Sequence, residues 1–457
     1  GITLGPSAIE FHERFGIDEC ELMSNTSASF NLASHFSNWS KGGRSFYRAH
    51  GDYGANIGPL KFNQLISQQQ LQGRDVRLEN FSLGALSAAQ GRFSHPSPDS
   101  KNVVSTLSYG LHLDGVAYRD YLKVLAVDTG VSVHQEDLQE VHRLTDGVIA
   151  ALELESGHRL EADFFIDCSG KESLLAASEE DSVFSDWSSY VPGDTEMSVS
   201  LPRANEPLLA LTQTIALPQS WCQRIPLRDR TLYRLVYSCS QTSEEEALAD
   251  LSSLTAQVLE KKILPRTFKT GFKAQSWFKN CVALGAAAGC VDPLNQTDCQ
   301  VVQNSILRLL ELLPTGANSE ILAAQYNSLT YTESQLFRDF YAAHFLGDAS
   351  MPSSFLWDNG EGRGLDSLAY RLSLFKTRGQ IMFDEGEALS ESAWFGLFYG
   401  LGIVPERCDP FMAAHKDESL RSHLVAMQNT MQKAAMSLPP HEEYLKKYCT
   451  GAMLNVR

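Results

Sequence analysis

Nine cysteines are scattered through 457 residues from Cys20 to Cys449, and no two of them form a CxxC pair. Zinc knuckles and disulfide frameworks are therefore not indicated, and a reducing, cytoplasmic setting is expected. No stretch approaches about eighteen consecutive apolar residues and no signal peptide opens the sequence, so neither membrane insertion nor secretion is expected. Positive charge is scarce: 38 lysines and arginines face 55 acidic residues, a net charge of -17. That balance leaves no basic face for nucleic acid or an anionic membrane. The twelve histidines show no HExxH spacing, and His112 and His134 lie too far apart to imply a metal site. GxSxG, GxxxxGK and GxGxxG are also missing, which removes the serine hydrolase elbow, the P-loop and the dinucleotide fingerprint. Gly360-Glu361-Gly362-Arg363-Gly364 imitates the last, but it follows no apolar strand and reads as a loop.

What is present is an ordinary globular composition, 43% hydrophobic and 20% charged, long enough for two or three cooperating domains. The stretch Trp277 to Asp298, WFKNCVALGAAAGCVDPLNQTD, organises the rest. An apolar strand from Cys281 to Leu284 runs into small residues from Gly285 to Gly289, then a turn, then the helix pattern VVQNSILRLLELLP. Such a run seats a flat ligand against backbone, with a helix amide end facing an anion, or else it is a strand-to-helix crossover that needs small residues only for packing.

The opening Gly1 to Pro6 reads as a loop and Ser7 to Phe15 as a helix. Phe30 to Trp39 alternates apolar and polar residues and reads as one strand. Gly42 to Gly58, with Phe46, Tyr47 and Tyr53, suits a binding loop or a mobile surface loop. From Tyr109 to Gly170 the pattern predicts a helix, a hairpin turned at Asp146-Gly147, a second turn at Ser156-Gly157, and a buried strand ending in Asp167-Cys168-Ser169-Gly170. Strands of nucleotide-binding sheets end in this way, because ligands gather beyond their carboxyl ends. Glu196 to Leu201 and Thr231 to Ser240 alternate like antiparallel strands, and the chain beyond Val302 is mostly helical.

Taken in order, these landmarks resemble the flavin-dependent tryptophan halogenases, relatives of the single-component flavin monooxygenases. GITLGP is similar to the family's GExTxP loop and FGIDECELM to its LGI(x)EDEWM helix. YGLHLDGVAYRDYL through DFFIDCSG resembles its YhxD helix and aDlFIDCSG strand, and WFKNCVALGAAAGCVDPLNQT its W(x)KNCVaIGlaagFlEPLEST segment. FRDFYAAHF, Trp394 to Pro405 and LPPHEEYLKKYC continue in family order. The resemblance implies an α/β fold: a Rossmann-like FAD-binding core with an inserted antiparallel substrate sheet over residues 1–330, and a mostly helical substrate-pocket part over 331–457. The first βα unit and its glycine loop would stand before Gly1.

The chemistry implied uses reduced FAD from a transiently bound separate reductase. Oxygen and a halide give a hypohalous acid, which a lysine holds beside an electron-rich, indole-like ring while a glutamate stabilises the developing positive charge. By this resemblance Thr3, Pro6, Leu138, Asp167, Gly170, Gly285, Ala286, Asp292, Pro293 and Cys299 border the cofactor. Thr297 and Asp298 border the halide, and Arg48, His50 and Trp394 border the substrate. No metal is implied, and a homodimer is admissible.

Several positions depart from the family. Asn31 stands where the lysine should be, and the first lysine of the chain is Lys41. The glutamate of PLEST falls on Asn295, and the glycine beside the halide becomes Asp298, a carboxylate that repels an anion. The family's HPF becomes Arg48-Ala49-His50, and its WxWxIP keeps Trp221, Ile225 and Pro226 around Gln223. Standard lysine-dependent halogenation is therefore expected to fail. Three classes follow: a divergent halogenase, a halide-independent flavoprotein monooxygenase, and a non-catalytic flavin- or ligand-binding relative.

Overall fold

The computed structural model describes residues 1–39, 43–175, 184–203, 206–255, 263–294, 297–314, 319–346, 364–382, 387–414 and 417–449. The chain divides into two units, each assembled from separated stretches. The first takes Gly1–Tyr118, Pro192–Thr267 and Asp339–Arg457, and the second takes Arg119–Val191 and Phe268–Arg338.

In the first unit a seven-stranded sheet runs Arg266–Thr267, Thr195–Pro202, Arg230–Tyr237, Ser220–Pro226, Leu211–Ala216, Ala33–Ser37 and Phe46–Ala49. The two alternating stretches read from the sequence are neighbours here, with Met197 opposite Leu235. Their inward side chains join Cys222, Tyr237, Ala247 and Leu251 in one buried cluster. Ala247 and Leu251 come from the helix Glu244–Thr255. A capping box starts that helix: the Ser243 hydroxyl accepts from the Glu246 amide and the Glu246 carboxylate accepts from the Ser243 amide.

Two local expectations are corrected in this unit. Ile2–Leu4 is a strand rather than a loop, the edge of a three-stranded sheet with Gly110–Leu113 at its centre and Ser29–Asn31 on the far side. Thr3 lies opposite His112 in that sheet. The approach is tight enough that a Cβ on Gly110 would stand 2.0 Å from the Leu4 carbonyl oxygen, so this strand requires glycine there. The single strand expected over Phe30 to Trp39 is two, Ser29–Asn31 and Ala33–Ser37, which pair in different sheets. Alternation in sequence shows which faces are buried but not which partner each half takes. The change of partner falls at Leu32, whose N–H donates to the Ala210 carbonyl at 2.8 Å and whose carbonyl accepts from the His50 amide at 3.0 Å. Satisfying both backbone groups outside the ladders makes the break tolerable in a fully buried segment.

The Phe30 side chain is held in an aromatic box. Its ring stacks on Phe93 at 3.8 Å between centroids and meets His95, Tyr109, Tyr444 and Tyr448 edge-on. Tyr444 and Tyr448 belong to the helix His441–Cys449, one of four later helices in this unit with Asp366–Arg378, Glu391–Gly400 and Asp417–Ser437.

The second unit follows the predicted order closely. Leu138–Arg143 and Ile149–Leu154 form the hairpin turned at Asp146-Gly147, and Arg159–Leu160 returns after Ser156-Gly157. Phe165–Asp167 then runs parallel to Cys281–Ala283, whose other neighbour is Trp277–Phe278. Phe165 and Asp167 are buried while Ile166 is exposed, so this strand has only one covered face. Helices Asp298–Leu312 and Ser319–Ala343 follow, and Leu309, Ala323 and Tyr326 pack with Trp277, Val282 and Leu284. The Asn327 carboxamide pins that contact by accepting from the Trp277 amide and donating to its carbonyl, at 2.8 and 2.9 Å. Among the described residues no helix is long and apolar enough to cross a membrane.

Phe30→Ala should lower stability by about 3–5 kcal/mol, because it empties a closed aromatic box. The exposed Ile321→Ala should stay within roughly 0.5 kcal/mol. Denaturant midpoints of the two variants check this directly.

Candidate functional site

The second unit carries the strand ends to which the sequence pointed. Asp167 and Ala283 lie in register at the carboxyl ends of two parallel strands, and the Leu284 amide donates to the Asp167 carbonyl at 2.9 Å. Beyond them Cys168, Ser169 and Ala286 are exposed. Gly170 and Gly285 both turn with positive φ, 85° and 61°, which side-chain-bearing residues rarely adopt. This edge is open, small-sided and lined by backbone, as a planar ligand beyond parallel strands requires. Leu138 stands behind it, packed against Ile149, Phe165, Leu175 and Cys281.

The carboxylates here serve their own loops. Asp167 accepts from the Ser169 amide at 2.9 Å, the Ser169 hydroxyl at 2.6 Å and the Leu175 amide at 3.0 Å. Asp292, fully buried, accepts from the Leu294 amide at 3.0 Å and the Thr297 hydroxyl at 3.2 Å, with buried Pro293 between them in sequence. Asp298, the first residue of its helix, accepts from the Val291 amide at 2.8 Å. The loop expected to receive a halide therefore already holds an anion of its own on a backbone amide. Burial pushes the neighbouring Cys299 thiol up to about 11, with the Asp298 charge adding to it. Asn295 lies outside the described residues, as does Gln296.

The first unit holds Asn31, Arg48, His50 and Trp394 of the predicted set. Asn31 is fully buried, its Oδ1 accepts from the Ala33 amide at 3.3 Å, and its Nδ2 has no hydrogen-bond partner among the described residues. His50 follows the strand Phe46–Ala49, is half-buried, and keeps its Nε2 shielded and likewise without a partner among them. Burial, reinforced by the Arg48 charge, lowers His50 to about 3. His112 is lowered to about 3 by burial and by His441 and His50, and its Nε2 lies 2.8 Å from the Thr212 hydroxyl. His441, lowered by burial to about 4, accepts from the Phe30 amide through Nε2 at 3.2 Å. The unit that holds Asn31 thus also holds the imidazoles of His50, His112 and His441, all neutral at physiological pH, and that of His441 bonds the amide of Phe30, the residue before Asn31.

Arg48 is fixed in place. Its guanidinium meets His344 Nε2 at 3.0 Å and lies over the Phe36 and Phe340 rings. Trp394 is fully buried and donates its indole N–H to Glu387 at 2.7 Å, with Arg371 over its ring at 4.5 Å. Thr3 is half-buried in its strand, and Pro6 opens the helix Pro6–Arg14, where its missing N–H costs nothing. The segment after His50 lines a cavity of about 410 Å³, where Lys61 and Asn63 both reach Glu391, at 3.4 and 2.9 Å.

Each unit therefore gathers its own members of the set: Asn31, Arg48 and His50 in one, the strand ends and the Asp292–Cys299 loop in the other. His112, His344, His441 and Glu387 were missed by sequence reasoning. His344 and His441 stand hundreds of residues from Arg48 and Phe30, His112 is 100 from Thr212, and the short step from Glu387 to Trp394 carries no spacing signal. No group of histidine, cysteine or acidic side chains among the described residues could hold a metal ion.

A family model described as tryptophan halogenase matches residues 1–417. The chain is 25% identical over 470 residues to a tryptophan 7-halogenase of Lentzea aerocolonigenes, covering 96% of this chain and 88% of that protein. To a tryptophan 6-halogenase of Streptomyces albogriseolus it is 25% identical over 473 residues, with the same coverage of each. Among solved structures, a flavin-dependent halogenase from Brevundimonas sp. BAL3 superposes with a TM-score of 0.92 at 27% identity, covering 98% of this chain and 91% of that one. A flavin-dependent halogenase from Xanthomonas campestris gives 0.89 at 28%, covering 98% and 90%. The α/β fold with a helical C-terminal part is thus shared over nearly the whole chain.

The neutral histidines set a pH dependence. Each has a folded-state pKa below the unfolded value of 6.5, so the unfolded chain binds more protons as pH falls through 6.5. Stability is fully present above that value and is lost below it, by about 1.4 kcal/mol per pH unit for each fully buried histidine. The melting midpoint should fall steeply between pH 6.5 and 4, and His112→Gln should flatten the fall; a midpoint unchanged from pH 7 to 5 would contradict this.

Proposed function

We propose, from the premise that this chain belongs to the tryptophan halogenase family, that it is an FAD-dependent oxidoreductase acting on an electron-rich aromatic small molecule of the indole class. Halide is the co-substrate in this reading, and a separate reductase delivers the reduced flavin. What carries it beyond family membership is the buried Nδ2 of Asn31, a hydrogen-bond donor with no partner among the described residues, at the position that aligns with the family's lysine.

The open strand-end edge of the second unit fits the flavin. Cys168, Ser169, Gly170, Gly285 and Ala286 would border it through backbone and small side chains, while Leu138 supports the strands from behind. A bound reduced flavin supplies the oxidising power drawn from dioxygen. The protein's own residues then have three tasks. Asn31 donates a hydrogen bond to the polar oxygen of a small oxidant, holding it without forming a covalent adduct and without changing charge. His50, neutral across the physiological range, offers a second uncharged polar edge. Arg48, held by His344 and two aromatic faces, fixes a positive charge that cannot swing away. Trp394 supports this wall from behind, its N–H already engaged by Glu387.

A neutral amide polarises an oxidant less than an ammonium does. Positioned acid and electrophile-activating groups contribute roughly 10² to 10⁴ in rate, so turnover should be slow compared with a lysine-bearing relative. A second reading, a halide-independent monooxygenase, is favoured by one observation: Asp298 places a carboxylate on the Val291 amide in the loop where a halide would bind.

Purified full-length protein, incubated with a flavin reductase, FAD, NADH, bromide and a panel of indoles, should yield a monobrominated product by mass spectrometry. An oxygenated product formed equally well without bromide would replace this reading with the second. No product with any substrate would leave only a non-catalytic binding role and overturn both.

A further inference from the structure

The helix His441–Cys449 closes the aromatic box around Phe30, and its end lies against the short helix Glu19–Asn25 of the same unit. Two residues of that short helix grip it. Glu19 accepts from the Tyr448 hydroxyl at 2.9 Å, and the Cys20 thiol donates to the Tyr448 carbonyl at 3.2 Å. Tyr448 is the residue before Cys449, so standard peptide dimensions put the Cys20 Sγ within about 6 Å of the Cys449 Cα. The Ser24 hydroxyl, which donates to the Cys20 carbonyl at 2.7 Å, lies near both thiols. Both cysteines are partly exposed, unlike the buried Cys222 and Cys281.

We infer that Cys20 and Cys449 form an oxidation site: a peroxide joins them in a disulfide that staples the C-terminal helix to the helix Glu19–Asn25. The sequence hides this pair, because the two residues stand at opposite ends of the chain and share no motif. The chemistry balances with hydrogen peroxide as oxidant. The sulfur of one cysteine attacks a peroxide oxygen, the O–O bond breaks, and water leaves behind a sulfenic acid. The second thiol attacks that sulfur, the S–O bond breaks, and a second water departs as the S–S bond forms. Two thiols lose two electrons in all, and one peroxide is reduced to two waters. Closing the bond turns the Cys20 thiol from the Tyr448 carbonyl toward the Cys449 sulfur and brings the two Cα atoms to about 4.4–6.8 Å, the span of a disulfide.

The staple acts on the element that matters for the buried strand. Phe30 precedes Asn31, and its box depends on Tyr444 and Tyr448 remaining docked. Cross-linking the helix end to Cys20 restrains undocking in the unfolded and partly open states alike, which raises resistance to heat.

The full chain should be treated with millimolar hydrogen peroxide, blocked with an alkylating reagent, digested without reductant and mapped by mass spectrometry. A linked Cys20–Cys449 peptide is expected, abolished by Cys20→Ser and by Cys449→Ser and released by dithiothreitol. The melting midpoint of the oxidised protein should rise by on the order of 2–4 °C, a rise absent in either serine variant. The inference is overturned if the wild-type map shows the two thiols still alkylated, oxidised separately to sulfinic or sulfonic acids, or joined to other cysteines. That map needs no variant to fold and no enzymatic activity.

Discussion

Desolvation governs the first unit. Its strand Ser29–Asn31 is buried on every side, and whatever polar group stands there must either find a partner or stay uncharged. His112 and His441 are held as free bases, and the polar edges of the rings around Phe30 all find partners, His95 on Tyr444 and on the Glu19 carboxylate, Tyr109 and Tyr448 on Glu19. An ammonium at position 31 would have to find its partners within a fully buried strand, whereas the Asn31 carboxamide brings no charge there.

The second unit obeys the same accounting through a different solution. Its carboxylates are buried at turns, but each is bonded to the backbone amides of its own loop, as Asp167 is by Ser169 and Leu175 and Asp292 is by Leu294. These acids shape the strand ends and leave backbone and small side chains to face outward. Asp298 extends the pattern into the loop after Pro293, where its charge is both a helix-start stabiliser and an obstacle to a second anion. The strand-end turns and the loop after Pro293 thus share one feature: backbone amides that the chain satisfies with its own carboxylates.

Much of this was legible in the sequence. The hairpin, the strand ending at Asp167 and the strand-turn-helix after Trp277 were readable because local patterns and turn residues determine them. The partner change at Leu32 was not, since alternation records burial but not which sheet provides it. Ile2–Leu4 escaped notice because three residues are too few for a periodic signal, and only the Gly110 approach makes the strand. At the site, the exchanges at Asn31 and Asp298 were visible as departures from a family pattern. What the structure adds was not: that Asn31 keeps an N–H with no partner among the described residues while Asp298 folds back on Val291 depends on distances no spacing encodes. Trp394 was legible as an aromatic near a site, but its bond to Glu387 was not, because no pattern in the sequence marks that pair.

In the proposed function the Asn31 carboxamide, with no lysine, holds the oxidant, and other residues of the chain seat the flavin. The most direct test of this role compares Asn31→Ala with the wild type in two measurements, FAD affinity by fluorescence titration and aromatic product formed with a reductase. The account predicts unchanged FAD affinity with product formation reduced by about 10²-fold or more. Product formation as fast in Asn31→Ala as in the wild type would contradict it.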